Sequence, residues 1–276
     1  MGKLTLITLP IGNVADITAR AKEALEKEQY FLAEDTRNLS KLLKHYGIDS
    51  KSKKIDSFHD HSFEKIERIV GKLTKGQHLC LVSDAGSPMI SDPAYPLVRA
   101  ALESGVEVES LSGISAVTCA LELSGLPPHP FQFHGFLPRD KNGKKELFKD
   151  LKGHHGTHIF FESPYRMQES LALLAEALPD VEVVVARELT KAYQSVYRFN
   201  SSELSSQEIN YKGEFVLLFH LRKDQVEQKK GTEKIEKLAL EYLDKKTTPK
   251  NLCKLLGEIL DRNPSEIYNT LNTRAK

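Results

Sequence analysis

The sequence holds only three cysteines, Cys80, Cys119 and Cys253, far apart and without a Cys-x-x-Cys pair. That pattern excludes a disulfide framework and a cysteine-based zinc site, and leaves partly buried free thiols in a reducing compartment as the expectation. No apolar run approaches the roughly 20 residues that a membrane span requires. The start, Met1-Gly2-Lys3-Leu4-Thr5-Leu6, lacks the basic segment, apolar stretch and small-residue cleavage site of a signal peptide, so a cytoplasmic protein is expected. Gly-x-x-x-x-Gly-Lys-Ser/Thr is missing, which disfavours a P-loop nucleotidase. Gly-x-Gly-x-x-Gly is missing too, which disfavours a dinucleotide-binding Rossmann enzyme or a methyltransferase of the common glycine-rich type. His59, His61, His154, His155 and His158 stand in loop-like contexts with no cysteine beside them, so no metal is expected.

A net charge of +1 says nothing for nucleic acid by itself. Its distribution says more. From Arg222 onward there are 13 Lys/Arg against 9 Asp/Glu, and before it 26 against 29. Such an asymmetry fits a basic tail able to meet RNA phosphates.

The first 113 residues read as strands alternating with helices, which points to a parallel α/β sheet. Strands are expected at Leu4–Leu9, Tyr30–Ala33, Ile55–Phe58, Leu79–Ser83 and Val106–Leu111. Helices are expected between them: from an Asp16 cap through Glu26, over Leu39, Leu42 and Leu43 to a stop at Gly47, over Ser62–Leu73, and over Tyr95–Glu103. The proline cluster Gly125-Leu126-Pro127-Pro128-His129-Pro130 marks a domain boundary, because it cannot continue a helix or a central strand.

A second α/β unit follows, with strands at His158–Phe161, Val181–Ala186, Tyr193–Phe199 and Phe215–His220 and a helix over Met167–Leu178. This half is expected to be mixed rather than purely parallel. The lysine-rich stretch Pro138–Lys152 reads as a solvated loop and helix. Beyond Thr232, an apolar stripe at Ile235, Leu238, Ala239, Tyr242 and Leu243 recurs at Leu252, Leu255, Leu256, Ile259 and Leu260. Thr248-Pro249 and Asn263-Pro264-Ser265-Glu266 are helix starts. The tail is thus a small helical module, either a helix-turn-helix-like bundle or an interaction module. Domains are expected at 1–124, 125–225 and 226–276.

Four loops stand at the C-terminal ends of expected strands, where open α/β sheets bind ligands. They are Thr8–Asn13, Ser83–Pro88, Leu111–Ala116 and Glu162–Arg166. Each pairs glycine or proline with a small hydroxyl or a carboxylate, so backbone N–H and C=O groups can be offered to a ligand.

Within these loops and beyond them run Leu9-Pro10-Ile11-Gly12-Asn13-Val14-Ala15-Asp16, Ala33-Glu34-Asp35-Thr36-Arg37 and Ser83-Asp84-Ala85-Gly86-Ser87-Pro88. Then come Gly135-Phe136-Leu137-Pro138-Arg139, Phe161-Glu162-Ser163-Pro164-Tyr165-Arg166 and Ala186-Arg187-Glu188-Leu189-Thr190-Lys191. In these blocks and their order the chain resembles the tetrapyrrole methylase superfamily, specifically its ribosomal-RNA-modifying branch, from residue 4 to about 220. One departure is Gly113-Ile114-Ser115-Ala116, where that family usually carries Gly-Pro-Ser-Ala.

The resemblance implies two α/β domains of tetrapyrrole-methylase type with a cofactor cleft between them, plus the helical module. It implies S-adenosylmethionine as cofactor, held by Leu9, Pro10, Asp84, Ala85, Gly86, Ser87, Ser115, Ala116, Phe161, Glu162 and Ala186. It also implies 2′-O-ribose methylation of a cytidine in the decoding region of 16S rRNA, in the small ribosomal subunit, by a homodimer. A ribose hydroxyl is a poor nucleophile, so a base or a cation beside it should help. The candidates are Glu34, Asp35, Glu162, Glu188 and Lys191. Arg37, Arg139, Arg166, Arg187 and Lys191 are the candidate RNA contacts. Two other readings stay open: a tetrapyrrole-type C-methyltransferase and a non-catalytic RNA-binding relative.

Overall fold

The alternation at the N-terminus forms strand β1 (Lys3–Ile7), and β2 (Tyr30–Ala33), β3 (Lys54–Ser57), β4 (Leu79–Val82) and β5 (Glu107–Leu111) repeat it. The structure, a computed structural model, describes residues 2–58, 63–90, 94–223, 225, 248–260 and 263–274. These five strands make an all-parallel sheet in the order β3-β2-β4-β1-β5. Successive side chains alternate faces, so the inner strands feed two cores. Leu4, Leu6, Leu32, Leu79 and Leu81 pack with α3 (Phe63–Thr74) and α4 (Tyr95–Glu103). Ile7, Phe31, Ala33, Cys80 and Val82 pack with α1 (Ala19–Lys27) and α2 (Thr36–His45). Helices on both faces are what parallel connections require.

One cap differs from expectation. Asp16 ends a short 3-10 turn, Val14–Asp16, that Asn13 caps; α1 is capped two residues later by Thr18, whose hydroxyl accepts from the Ala21 N–H at 3.2 Å. The inserted turn holds Asp16 short of the capping position.

The second sheet is mixed, in the order β6-β7-β10-β8-β9, built from β6 (Phe131–Phe136), β7 (Gly156–Glu162), β8 (Glu182–Arg187), β9 (Ser195–Asn200) and β10 (Phe215–Leu221). β6 and β7 are parallel, whereas β8 is antiparallel to both β9 and β10. β6 carries no strand signal in the sequence: it follows the proline cluster, and Gly135 at φ +73° interrupts its register. α5 (Ala116–Ser124) precedes the proline cluster, yet its Val117 and Ala120 pack with Ile159, Val184, Ala186, Val216 and Leu218 of this sheet. α6 (Lys141–Leu151) and α7 (Pro164–Ala177) follow β6 and β7.

The lysine-rich stretch corrects the solvated reading in one respect. Lys144 of α6 is fully buried, with its ammonium 3.6 Å from Glu162 and 3.4 Å from Glu169. A charge count along the chain cannot see that two carboxylates await this one lysine.

Residues Met1–Phe148 and Gly156–His220, which hold both sheets, form one compact unit; Lys149–His155 and Leu221–Lys276 form a second. In the latter, helix Pro249–Leu260 packs against helix Pro264–Arg274, and Asn263 caps the latter through the Ser265 N–H at 3.0 Å. The stripe from Ile235 to Leu243 lies outside the described residues, as do His59 and His61. Among the described residues no helix is long and apolar enough to cross a membrane.

Candidate active site

The C-terminal loops of the first sheet are tied to one another. Leu9 and Gly86 exchange backbone hydrogen bonds of 2.9 and 3.0 Å, and the Thr8 N–H donates to the Leu111 carbonyl at 3.0 Å. Gly86 can close this contact because its φ of +71° is open to glycine. Ser115 ends the third loop and caps α5, its hydroxyl accepting from the Val117 N–H at 3.3 Å.

Facing these loops are strand ends of the second sheet, and together they enclose a cavity of ≈ 330 Å3. Ala85, Gly86, Ser87, Ser115 and Ala116 line it from the first sheet's loops; Phe161 and Glu162 line it from β7. Thus seven of the eleven expected cofactor residues meet in one place. Leu9, Pro10 and Asp84 line an adjoining open hollow of ≈ 390 Å3 instead. Ala186 lies fully buried in the core of the second sheet. Ile90, Phe136, Leu189, Glu214, Phe215 and Val216 also line the cavity and were not expected there. Phe136 sits in the block Gly135–Arg139, so proximity to a motif was its only signal; Glu214, Phe215 and Val216 had none.

The candidate catalytic groups occupy unlike settings. Glu162 is buried, and its carboxylate accepts from the Ser163 N–H, the Ser170 hydroxyl and Arg166 Nη2, each at 2.7 Å, with Lys144 beyond. Both oxygens are therefore engaged within the protein, which makes Glu162 a fixed wall of the cavity.

Asp35 caps α2 and is gripped by Arg37 through Nε at 3.0 Å and Nη2 at 2.6 Å. The Arg37 guanidinium holds the Asp35 carboxyl far below the usual carboxylate range. Glu34 accepts from the Asp84 N–H at 3.4 Å, and Asp84 in turn accepts from the Asp35 N–H and the Asn38 amide at 3.1 and 2.8 Å.

Glu188 and Lys191 form a third setting with Glu214. The Lys191 ammonium lies 3.0 Å from Glu188 and 2.9 Å from Glu214, and the Glu214 N–H donates to Glu188 at 2.9 Å. Burial pulls the Lys191 pKa down, but the two carboxylates outweigh it and raise the ammonium above its ordinary value. Burial likewise pushes Glu188 up, but the Glu214 N–H and Lys191 outweigh it and hold the carboxyl low. At neutral pH this pair is a charged lysine and a weakly basic carboxylate. Glu188 and Thr190 take φ of +51° and +63°, left-handed values that cost non-glycine residues energy.

That strained loop clasps the first one: the Asn13 N–H donates to the Thr190 hydroxyl at 2.9 Å. A Cβ on Gly12 would lie 2.5 Å from Lys191 Cγ and 2.9 Å from the Leu189 carbonyl. Gly12→Ala is expected to lower the unfolding free energy by about 1–3 kcal/mol, the usual range for overpacking. Urea denaturation checks this, and an unchanged midpoint would count against the tight clasp.

Among the candidate RNA contacts, Arg37 is 83% exposed and Arg139 is exposed. Arg166 is turned onto Glu162, and Arg187 donates to the Lys212 and Tyr193 carbonyls and the Ser195 hydroxyl. Among the described residues no group of three or more His, Cys, Asp and Glu side chains converges as metal ligands would. His158, read in a loop-like context, is a buried strand residue paired with His134 at 3.0 Å.

An all-parallel sheet and a mixed sheet meet over one cavity in a two-sheet α/β architecture. The fold is similar to that of diphthine synthase (TM-score 0.60, 15% identity, covering 79% of this chain and 90% of that one). It is also similar to that of the methyltransferase CobJ (TM-score 0.59, 17% identity, covering 80% and 94%). Residues 3–205 match the Tetrapyrrole (Corrin/Porphyrin) Methylases. A relative named ribosomal RNA small subunit methyltransferase I, from Vibrio cholerae serotype O1, is 38% identical over 271 residues, 96% of this chain and 92% of its own. Relatives of the same name from Streptococcus pyogenes serotype M3 and Escherichia coli O157:H7 are 43% and 40% identical, over 79% and 82% of this chain and 76% and 80% of theirs. The chain belongs to the tetrapyrrole methylase family, in the group of the ribosomal RNA small subunit methyltransferase I proteins.

Proposed function

We propose that the protein methylates 16S rRNA with S-adenosylmethionine, placing the methyl group on the ribose 2′-hydroxyl of a cytidine in the decoding region. The near full-length identity to the Vibrio cholerae relative carries this reading. The cavity fits the cofactor. Its volume of ≈ 330 Å3 falls within the roughly 300–1,000 Å3 of small-molecule sites. Ile11, Ile90, Phe136, Phe161 and Leu189 offer apolar walls to a purine, while Ala116, the first residue of α5, brings a helix N-terminus suited to a carboxylate.

When bound, S-adenosylmethionine supplies an electrophilic methyl group on a sulfonium. The protein's own contribution is chiefly orientation, since a displacement needs the two reacting atoms aligned. Ala85, Gly86, Ser87, Ser115 and Ala116 shape one side of that cavity, with Phe161 and Glu162 on the other. Lys191, kept protonated by Glu188 and Glu214, suits the charge that develops on the ribose oxygen.

We further propose that the substrate is the assembled small subunit and that the enzyme is a cytoplasmic homodimer with domains at 1–124, 125–225 and 226–276. Homodimers are the commonest symmetric state, which supports the dimer. Transfer of labelled methyl groups to purified 30S subunits, mapped to a ribose 2′-oxygen, tests the function. Label on a porphyrin precursor instead would favour the tetrapyrrole reading, and no binding of S-adenosylmethionine would favour the non-catalytic one.

Two arginines then separate RNA contact from cofactor support. Arg37→Gln is expected to weaken RNA binding and to reduce the slope of log K against log salt by about 1, with cofactor affinity unchanged. Arg166→Gln is expected to weaken cofactor binding instead, because it removes one of the partners that fix Glu162 in the cavity wall. Filter binding across a salt series and calorimetric titration read the two effects; equal behaviour of both variants would contradict the assignment.

A further inference from the structure

The hollow beside the cofactor cavity holds groups that the methyl transfer leaves unused. Ile11, Ala85 and Glu214 line both spaces, so the two adjoin. Helix α2 supplies the hollow's first wall. It carries Arg37, Lys41, Lys44 and His45 and no carboxylate. Asn38, Lys41, Leu42 and His45 recur at i, i+3, i+4 and i+7, hence on one face, and all four line the hollow. Lys191 and Glu214 line it from the loops of the second sheet.

The carboxylates here are largely answered. Asp84 takes hydrogen bonds from the Asp35 N–H and the Asn38 amide, and Glu214 pairs with Lys191. Lys41 is exposed and makes no hydrogen bond or ion pair among the described residues. Cations near a helix C-terminus also complement its dipole. That accounts for Lys44 in the last turn, but not for Lys41 one turn earlier on the wall of a concave site. A concave site with two lysines and a histidine on its walls, and carboxylates able to accept from hydroxyls, suits one polyanionic sugar chain. RNA has both parts, a phosphate for the cations and a 2′-hydroxyl for an acceptor.

Resting on the methyl-transfer reading above, we propose that this hollow binds a ribose–phosphate unit of the RNA strand flanking the methylated nucleotide. Lys41 and His45 hold the phosphate from α2, while Lys191, given above to the reacting ribose oxygen, borders the hollow on the loop side. The strand thereby enters along α2 and presents its neighbouring ribose to the cofactor cavity past Ile11, Ala85 and Glu214.

The test uses the full chain with Lys41→Gln, His45→Gln and the double variant, and with Lys44→Gln as a control on the same helix outside the hollow. Affinities for purified 30S subunits and for protein-free 16S rRNA are measured by filter binding across a salt series. The double variant is expected to lose about tenfold in affinity for both, the size of one charge-assisted contact, with a salt slope lower by about 1 to 2. S-adenosylmethionine affinity should stay at the wild-type value, and Lys44→Gln should bind RNA as the wild type does. Unchanged RNA affinity in the double variant overturns the proposal, and so does an equal loss in Lys44→Gln, which would mean diffuse surface charge. A loss for 30S subunits but not for protein-free 16S rRNA also overturns it, assigning the hollow to an acidic ribosomal protein. Methyl transfer by the wild type to 30S subunits is read in parallel. Its absence would refute the functional reading alone, while the variants' RNA affinities would still judge the hollow.

Discussion

Glu162→Ala is expected to lower the unfolding free energy by about 3–5 kcal/mol, because it strands a buried cation. Lys144 and Glu162 both have fully buried side chains, 3.6 Å apart. With Glu162 gone, Lys144 keeps only the partly exposed Glu169 at 3.4 Å, and Arg166 and the Ser170 hydroxyl lose their acceptor as well. Breaking one member of such a pair costs more than removing both, since the survivor stays buried without compensation. The double variant Glu162→Gln with Lys144→Met should therefore recover a sizeable part of the loss. Urea denaturation of the two variants measures it. A loss under about 1 kcal/mol in Glu162→Ala would show that the pair is no more than a surface-like contact.

Ala116→Phe is expected to abolish cofactor binding, with an affinity loss of roughly 100-fold or more, equivalent to about 2.7 kcal/mol. Ala116 is the first residue of α5 and lines the ≈ 330 Å3 cavity. A benzyl group there takes up space that an adenosyl or methionyl group needs and covers the backbone N–H groups at the start of the helix. Phenylalanine at a helix start carries only a small propensity cost, so the fold should survive. Calorimetric titration with S-adenosylmethionine gives the affinity, and far-ultraviolet circular dichroism gives the fold. Binding within threefold of the wild type would place the cofactor outside this cavity.

Both predictions turn on residues whose sequence context understated them. Lys144 stands in a run of lysines, and composition assigns such a run to solvent. Ala116 is a small residue in a glycine- and serine-bearing loop, where its place at the end of a strand was legible but its distance to Phe161 and Glu162 was not. The placement of β6 failed for a related reason. Phe131, Gln132 and Phe136 are exposed, so no burial pattern marked a strand that is paired on β7 through its backbone.

The feature legible from the beginning was the parallel α/β half. Alternating Leu4/Leu6 against Ile7, and Leu79/Leu81 against Cys80/Val82, encodes two buried faces with a period of two. The stripe of Leu39 and Leu43 encodes a helix with a period near 3.6, closed by Gly47 at φ +75°. The loops at the strand ends follow from those elements, and seven of the eleven residues expected to hold a cofactor line one cavity. These are local signals, carried by neighbours a few residues apart. What the tertiary structure decided spans the chain. It decided that Asn13 meets Thr190 across 177 positions, that Lys144 is neutralised by Glu162 and Glu169, that Arg166 and Arg187 are spent on the protein's own groups, and that Glu214 joins the site. No periodicity reports such pairings, because the free energy that selects them comes from burial and charge compensation between segments that meet only once both sheets have formed.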